Sequence, residues 1–489
     1  KKPVPNNVPY PSIAIGGNQP VNRTMDFNNQ SNQYPNNFNQ QFMNNNQGFP
    51  ERNNQIDDYN WTQSRDGNFF GNNYSNLSHN TNVKRMNDQK KVKEKKWYHS
   101  YEEISNILKE TARKNPDKTY LYSIGKSTGG KDLWVLALAD SKPSEKVLLR
   151  PEAKYVANIH GNEVVGKEIL LRLIDYFLTN QTDPDVSFIM KNLRVHILPL
   201  MNPDGYGKSY MGDCNSVQGR YNNEGYDLNR NFPDLFENNT YPIQPETKAI
   251  LNWLETNNFV LSGSFHGGAL VANYPFDNYA VSDGFSAKKS STNDEDVFRL
   301  LALTYSKNHL KMTEGCNGDS FPDGITNGAE WYPLRGGMQD VNYWKYGCME
   351  ITFEVSCCKY PQKQELEGYW NDNKKSLVEY LKKANTGLKG IVKFANGQKA
   401  ANVTIKIDSR EPYFKTNKNG EYYRILLPGN YTLSAMFNCK TIISKKVQII
   451  SSTEPVVFNI ILPSNRYQEY KKRSLDSTAV FCNKKRQVV

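Results

Sequence analysis

Signals for strands and helices alternate along the chain between residues 97 and 386, and this alternation limits the possible folds more than any other feature. Short apolar runs, typical of buried strands, occupy residues 134–139, 155–159 and 193–200. Amphipathic segments, typical of helices, occupy residues 105–114 and 164–178. The pattern predicts an α/β fold, a mostly parallel sheet with helices on both faces. Ligands bind such sheets at the carboxyl ends of the strands, so polar residues at those ends are candidate site residues.

Composition divides the 489 residues into four segments. The first 80 residues contain 21 Asn and few aliphatic residues. They bury too little apolar surface to offset the entropy of ordering, so we expect a disordered arm over residues 1–96. The α/β segment covers residues 97–386. Residues 387–463 show short alternating strands and Gly-containing turns, which predict a small all-β sandwich. Residues 464–489 are predicted to be a polar, basic tail.

Charge and hydropathy argue against nucleic-acid binding and against a membrane-spanning helix within these residues. The net charge of +11 is concentrated in Lys/Arg clusters at residues 84–96, 471–473 and 484–486. The clusters lack interleaved aromatic residues, which favours linkers or protease sites at paired basic residues over nucleic-acid binding. No apolar run approaches the ~20 residues of a membrane-spanning helix, so no membrane span is expected in this sequence. Residues 282–296, rich in Ser, Lys and Asp, predict an extended surface loop.

Two of the six histidines end predicted strands. His160 is followed three residues later by Glu163 at the start of a helix, and His266 is followed by two glycines that permit a sharp turn. Two His and one Glu with an open fourth position form a catalytic zinc site for hydrolysis by water. A structural histidine at a strand end is the alternative. That structural interpretation is given to the other four histidines, His79, His99, His196 and His309.

Six motifs occur in a fixed order along the chain. They are residues 155–168 (YVANIHGNEVVGKE), 201–206 (MNPDGY), 219–234 (GRYNNEGYDLNRNFPD), 265–277 (FHGGALVANYPFD), 327–339 (NGAEWYPLRGGMQ) and 350–361 (EITFEVSCCKYP). Together they resemble the zinc metallocarboxypeptidases, in particular the regulatory branch of carboxypeptidases N, E, M and D, over about residues 97–386. The predicted β-sandwich resembles the transthyretin-like domain of that branch.

The resemblance implies an eight-stranded mixed sheet with one zinc ion at the strand ends, held by His160, Glu163 and His266. Glu354 matches the general base, which takes a proton from the zinc-activated water and passes it to the leaving amine. Arg220 matches the arginine that polarises the scissile carbonyl and stabilises the oxyanion. The implied activity is hydrolysis of the last peptide bond of peptides or proteins.

A clamp for the free carboxylate of the substrate is also implied. Arg230 offers two parallel N–H donors for a carboxylate, and Asn229 and Tyr332 match the residues that assist it. The family spacing places this tyrosine 22 residues before the base, which indicates Tyr332 and not Tyr343. Without the surrounding motif, a solvated loop would be the preferred interpretation of residues 229–231.

Specificity follows from the pocket for the departing residue. Asp277 and Gln339 match the acid and the glutamine that select C-terminal Lys or Arg in this branch, by a charge-assisted hydrogen bond. A turn aspartate is the alternative for Asp277. Arg335 lies four residues before Gln339 and carries a positive charge. The sequence leaves open whether the side chain of Arg335 points into the pocket.

The family works in the secretory pathway or outside the cell, so we expect a secreted protein and a monomer. The adjacent Cys357 and Cys358 are expected to contribute one disulfide, to Cys316. Triplets such as Asn402-Val403-Thr404 fit glycosylation.

Two rival functions remain at this point. A non-catalytic peptide-binding relative would lack some of the site residues, and all of them are present. A carboxypeptidase with a different C-terminal preference, such as a cytosolic enzyme that removes Glu, would need a basic pocket where this chain has Asp277.

Overall fold

The computed structural model describes residues 98–280, 286–316, 318–319, 321–437 and 439–466. Three predictions therefore fall wholly or partly outside the described residues. They are the arm at 1–96 with His79, most of the tail at 464–489, and the first part of the surface loop at 282–296.

An eight-stranded mixed sheet lies at the centre of the α/β segment. Its strands are β1 Thr119–Lys126, β2 Asp132–Leu138, β3 Glu152–Ala157, β4 Arg194–Leu198, β5 Phe259–His266, β6 Ala269–Tyr274, β7 Ile325–Asn327 and β8 Met349–Ser356. The strand order is β1-β2-β4-β3-β5-β8-β6-β7. The central strands β4, β3, β5 and β8 are parallel, and β2 and β6 flank them antiparallel. The predicted eight-stranded mixed sheet is confirmed.

Helices cover both faces of this sheet. They are α1 Tyr101–Lys114, α2 Val165–Thr179, α3 Pro184–Asn192, α4 Pro203–Tyr206, α5 Pro245–Thr256, α6 Glu295–Ser306, α7 Gly328–Trp331, α8 Met338–Tyr346 and α9 Leu366–Lys382. Neighbouring side chains of β3 point to opposite faces, so Tyr155 packs in one apolar cluster with α2, α6 and α9. Val156 packs in a second cluster with α5 and α8. Burial on both faces explains why the predicted central strands are continuous apolar runs.

Two small sheets follow the α/β segment. Their strands are β9 Gly387–Phe394, β10 Thr404–Ile407, β11 Arg410–Lys415, β12 Glu421–Arg424, β13 Gly429–Phe437, β14 Lys440–Ile449, β15 Pro455–Val457 and β16 Ile460–Leu462. One sheet has the order β11-β10-β13-β14, and the other has the order β12-β9-β15 with β16 also paired to β9. Val392, Ile405 and Leu433 are among the side chains that fill their shared core. The all-β character predicted for this stretch is confirmed.

A buried carboxylate joins the small sheets to the α/β segment. Asp294, directly before α6, forms ion pairs with Arg410 of β11 and Arg424 of β12. Tyr343 of α8 donates a hydrogen bond to the same carboxylate at 2.8 Å. Tyr343 is therefore a structural residue of this junction, consistent with the choice of Tyr332 for the substrate site.

Two disulfides are present among the described residues. Cys316 pairs with Cys357, as predicted, and Cys214 pairs with Cys358. The second bridge was not predicted. It ties the loop before Arg220 to the chain that follows β8. In the described parts of the chain, no helix has both the length and the apolar character needed to cross a bilayer.

Candidate active site

The loop between β3 and α2 places His160 and Glu163 side by side. Asn158 has a φ of 63°, a left-handed conformation that Asn tolerates better than most residues. Its side-chain amide donates to the backbone carbonyls of His160, Gly161 and Glu163 at 3.1, 3.0 and 3.0 Å. Gly161 is required because an added Cβ would lie 2.2 Å from the backbone nitrogen of Tyr206. The loop is thus fixed before any ligand binds.

The three predicted metal ligands converge at the carboxyl ends of the central strands. His266 is the last residue of β5. Its Nδ1 lies 2.9 Å from Glu163 Oε2, and His160 Nδ1 lies 2.9 Å from Glu163 Oε1. All three side chains are buried, and their potential ligand atoms lie within 4.8 Å of one another. The set contains the nitrogen and oxygen donors that zinc prefers.

Asp227 completes the site from the far side of His160. Its Oδ1 accepts a hydrogen bond from His160 Nε2 at 3.1 Å. A carboxylate at Nε2 keeps the proton there, so Nδ1 carries the lone pair that a metal ligand needs; Arg220 Nη1 lies 3.2 Å from it. His160 is therefore held in the tautomer that a metal ligand needs, and the three donors lie close enough together to fit a zinc ion.

Electrostatics favour the ionised forms that such a site needs. Burial alone would raise the pKa of Glu163, but His160 and His266 hold it well below its usual value. Burial would likewise raise the pKa of Asp227, and His160 and Arg220 hold it well below its usual value. Both carboxylates are therefore negative at neutral pH, and the site attracts a cation.

Glu354 lies beside the ligand set on the neighbouring strand. It is paired in register with His266 across β8 and β5. Its Oε2 is buried and has no hydrogen-bond partner among the described residues. Burial, opposed in part by His266, raises the pKa of Glu354 to about 7. A carboxylate of that pKa can both accept and release a proton near neutral pH.

Arg220 is held rigidly next to the ligands. Its Nε and Nη2 donate to Asp227 Oδ2 at 3.0 and 2.9 Å, and its Nη1 donates to Glu163 Oε1 at 3.3 Å. Burial would lower its pKa, but Asp227 and Glu163 raise it above the usual range. The guanidinium is therefore a fixed positive charge beside the site.

The three residues predicted to bind the substrate carboxylate lie close to these charges. Arg230 Nη1 donates to the carbonyl of Asn229 at 2.8 Å. Within the described part of the chain, Arg230 forms no ion pair with a carboxylate. Asn229 is fixed by Met338, whose backbone N–H donates to its side-chain oxygen at 2.9 Å. Although Tyr332 is 42% exposed, desolvation of its hydroxyl raises its pKa to about 12; Arg230 opposes this rise and Glu354 adds to it.

Asp277 and Gln339, predicted to form the specificity pocket, are both buried and in direct contact. Gln339 Nε2 and Asn273 Nδ2 donate to Asp277 Oδ1 at 3.0 and 3.1 Å. Asp277 Oδ2 accepts no hydrogen bond from the described residues, so one oxygen is available to a ligand. Burial raises the pKa of Asp277 to about 6. Arg335, whose orientation the sequence left open, pairs with Glu237 at 2.8 Å and is half exposed.

Sequence reasoning missed Asp227 and Asn158. Asp227 lies within the motif at residues 219–234, and a search for the partner that orients His160 would have found this carboxylate. The three histidines interpreted as structural are placed away from the ligand set. His99 pairs with Glu168, while His196 and His309 are buried.

Comparisons with known proteins agree with this geometry. Residues 104–376 match the model of the family described as zinc carboxypeptidase. Mouse (Mus musculus) carboxypeptidase M is 49% identical over 343 residues, which cover 69% of this chain and 77% of that protein. The carboxypeptidase N catalytic chain of rat (Rattus norvegicus) is 39% identical over 366 residues, 69% of this chain and 80% of that protein. Human (Homo sapiens) carboxypeptidase D is 42% identical over 362 residues, 72% of this chain but only 26% of that protein.

Proposed function

The chain belongs to the zinc carboxypeptidase family and is a metallocarboxypeptidase, and we propose that it releases C-terminal Lys or Arg from peptides or proteins. One zinc ion would be held by His160, Glu163 and His266. The observation that carries the catalytic part of the proposal is the position of Glu354, a buried carboxylate in register with the expected ligand His266, whose Oε2 has no hydrogen-bond partner among the described residues.

The side chains around the ligand set have separable tasks. Zinc held there would act as a Lewis acid towards the scissile carbonyl and would lower the pKa of the attacking water. Glu354 accepts the proton of that water and delivers it to the leaving amine, a transfer for which a pKa near 7 is suitable. Arg220 presents fixed N–H donors where negative charge develops on the carbonyl oxygen. Asp227 holds both Arg220 and His160 in position.

The preference for a chain end follows from Arg230. Arg230 has no carboxylate partner among the described residues, so it can bind the carboxylate that the free C-terminus of a peptide supplies. The Nδ2 of Asn229 and the hydroxyl of Tyr332 are further donors for this carboxylate. A peptide bond in the middle of a chain offers no such charge, so exopeptidase action is expected.

The preference for a basic last residue follows from Asp277. Its free Oδ2 would accept a charge-assisted hydrogen bond from a Lys or Arg head. Such bonds contribute roughly 1.5–3 kcal/mol, which corresponds to roughly ten- to over a hundredfold in kcat/KM. Arg335 is engaged by Glu237, which supports a pocket whose charge remains negative.

The setting we propose is the secretory pathway or the extracellular space. Two disulfides tie the loops around the site together, and disulfides persist in oxidising compartments.

The first test separates catalysis from peptide binding. Glu354→Gln keeps the shape of the side chain but cannot accept a proton, so kcat should fall by ~10²-fold or more while zinc content stays at one ion per chain. Glu224→Gln, the same change at an exposed residue, should leave kcat unchanged. Normal turnover by Glu354→Gln would remove Glu354 as the base. A wild type that binds peptides without hydrolysing them would support the non-catalytic alternative.

The second test concerns the pocket. Peptides that differ only in the last residue should be cleaved with a preference for Lys and Arg over Phe, and Asp277→Asn should lose most of that preference while still cleaving apolar ends. A wild-type preference for Phe or Leu would refute the pocket assignment but not the zinc mechanism.

A further inference from the structure

The strands give the cleft a direction. Thr352, Glu354 and Ser356 occupy every second position of β8, so their side chains point to the same face of the sheet. The backbone N–H of Thr352 donates to Gln339 of the Asp277 pocket at 2.7 Å, so this end of β8 belongs to the pocket. Glu354 follows beside the ligand set. Ser356 lies at the other end, where its carbonyl accepts a hydrogen bond from Gly268 at 2.7 Å. From Thr352 to Ser356 the strand rises about 13 Å.

A bound peptide must follow this direction. If its last side chain occupies the Asp277 pocket and its scissile bond lies beside Glu354, the residues upstream of that bond continue towards the Ser356 end. An extended peptide advances about 3.3–3.6 Å per residue. The penultimate residue therefore lies close to the turn formed by Gly267 and Gly268.

Lys359 lies across that turn. Its Cε is 3.2 Å and its Cγ is 3.7 Å from the position that a Cβ on Gly268 would occupy. Its backbone is fixed because its carbonyl accepts a hydrogen bond from Val164 at 3.1 Å. The adjacent Cys358 is bonded to Cys214. A residue with a rigid backbone and a long side chain thus borders the upstream part of the cleft.

The ammonium group of Lys359 is not fixed by a close contact among the described residues, although its charge is one of those that lower the pKa of Asp213. It makes no ion pair or hydrogen bond to any residue that the structure describes. Its charge nevertheless reaches the catalytic centre, because it is one of the groups that lower the pKa of Glu354 against the effect of burial. Arg230 is the corresponding cation on the side of Asp277, and it too forms no ion pair with any residue that the structure describes. Just as Arg230 would receive the terminal carboxylate, Lys359 is placed to receive a second negative charge further upstream.

We infer that Lys359 is a specificity-determining residue for the penultimate position of the substrate, where it selects an acidic side chain and disfavours a basic one. This inference rests on the proposed function, because it needs the scissile bond to lie beside Glu354. The preferred substrate would therefore end in an acidic residue followed by Lys or Arg.

The test uses acetylated tetrapeptides with the sequence Ala-Ala-X-Arg, where X is Glu, Gln or Lys, and the zinc-loaded full chain. One exposed charge pair contributes about 0.2–1 kcal/mol, at most about fivefold. Because X = Glu would be attracted and X = Lys repelled, the two effects add, and for the wild type kcat/KM for X = Glu should exceed that for X = Lys by about five- to tenfold. Lys359→Glu should invert the ratio, and Lys359→Gln should bring it within about twofold of unity. The ratio cancels any effect of the substitution on Glu354 itself. Lys363→Glu, an equal charge change at an exposed lysine four residues further on, should keep the wild-type ratio.

The outcomes separate the two proposals. An unchanged ratio in both Lys359 variants, or a wild type that does not discriminate between the peptides, would overturn this inference alone. A wild type that hydrolyses none of them would overturn the proposed function and this inference with it. If Lys359→Glu fails to fold, Lys359→Gln tests the inference alone: the ratio of kcat/KM for X = Glu to that for X = Lys should then lie within about twofold of unity.

Discussion

Replacing Asp227 by Asn tests how the metal site is built, because this side chain is not one of the three expected ligands but contacts His160 and Arg220. Its Oδ1 accepts from His160 Nε2 and from the backbone N–H of Asn229 at 3.1 and 2.9 Å. Its Oδ2 accepts from Arg220 at 3.0 and 2.9 Å. Asparagine has one acceptor oxygen, so whichever way the amide turns, its NH₂ group faces N–H donors on one side.

The magnitude follows from those contacts. Hydrogen bonds to charged groups contribute about 1.5–3 kcal/mol each, and outer partners of metal ligands typically account for 10–100-fold in metal affinity or activity. We therefore expect Asp227→Asn to raise the zinc dissociation constant by roughly 10–100-fold. With zinc saturating, kcat/KM should still fall by roughly tenfold or more, since Arg220 loses its anchor. The low pKa of Asp227 means that the effect should not depend on pH near neutrality.

Zinc affinity is measured by competition with a chromophoric chelator, and kcat/KM with a peptide ending in Arg. The control is Asp132→Asn, which changes a carboxylate paired with Lys126 at 3.0 Å on partly exposed β2 and should alter neither quantity. Zinc affinity and kcat/KM within twofold of the wild type would refute the assignment of Asp227 as the group that orients His160 and Arg220.

Three further predictions follow from charges in the structure. Asp277 attracts a basic side chain only when ionised, and its pKa is raised to about 6. The preference for C-terminal Lys over Phe should therefore be complete well above this pH and fall as the pH drops through it; a ratio independent of pH would contradict this. Glu354 must be ionised to accept a proton, and a bound dication lowers its pKa from about 7. The acid limb of kcat/KM should thus lie below pH 7. Arg424→Met should lower the free energy of unfolding by about 3 kcal/mol, because it removes one cation from the buried Asp294; a loss below about 1 kcal/mol in denaturant titrations would show that Arg410 compensates.

Local pattern was sufficient for most of the secondary structure. The helix predicted over residues 164–178 is α2 Val165–Thr179, and His266 ends its strand as expected. The helix predicted over residues 105–114 begins earlier, at Tyr101. The apolar spacing in fact continues back through Ile104 to Tyr101, which packs against the core, and the reciprocal hydrogen bonds between Ser100 and Glu103 set the start.

The sequence by itself determined which residues can bind zinc, accept a proton and clamp a carboxylate, because those capacities belong to the side chains and to their place at strand ends. Only the tertiary structure decided how they are coupled. Asp227 reaches His160 across 67 residues and Cys214 reaches Cys358 across 144, while Arg335 pairs with Glu237 and Lys359 pairs with no described residue. Periodicity reports only on neighbours along one element. Partners on different loops are set by how those loops pack over the ends of the sheet, which no local pattern records.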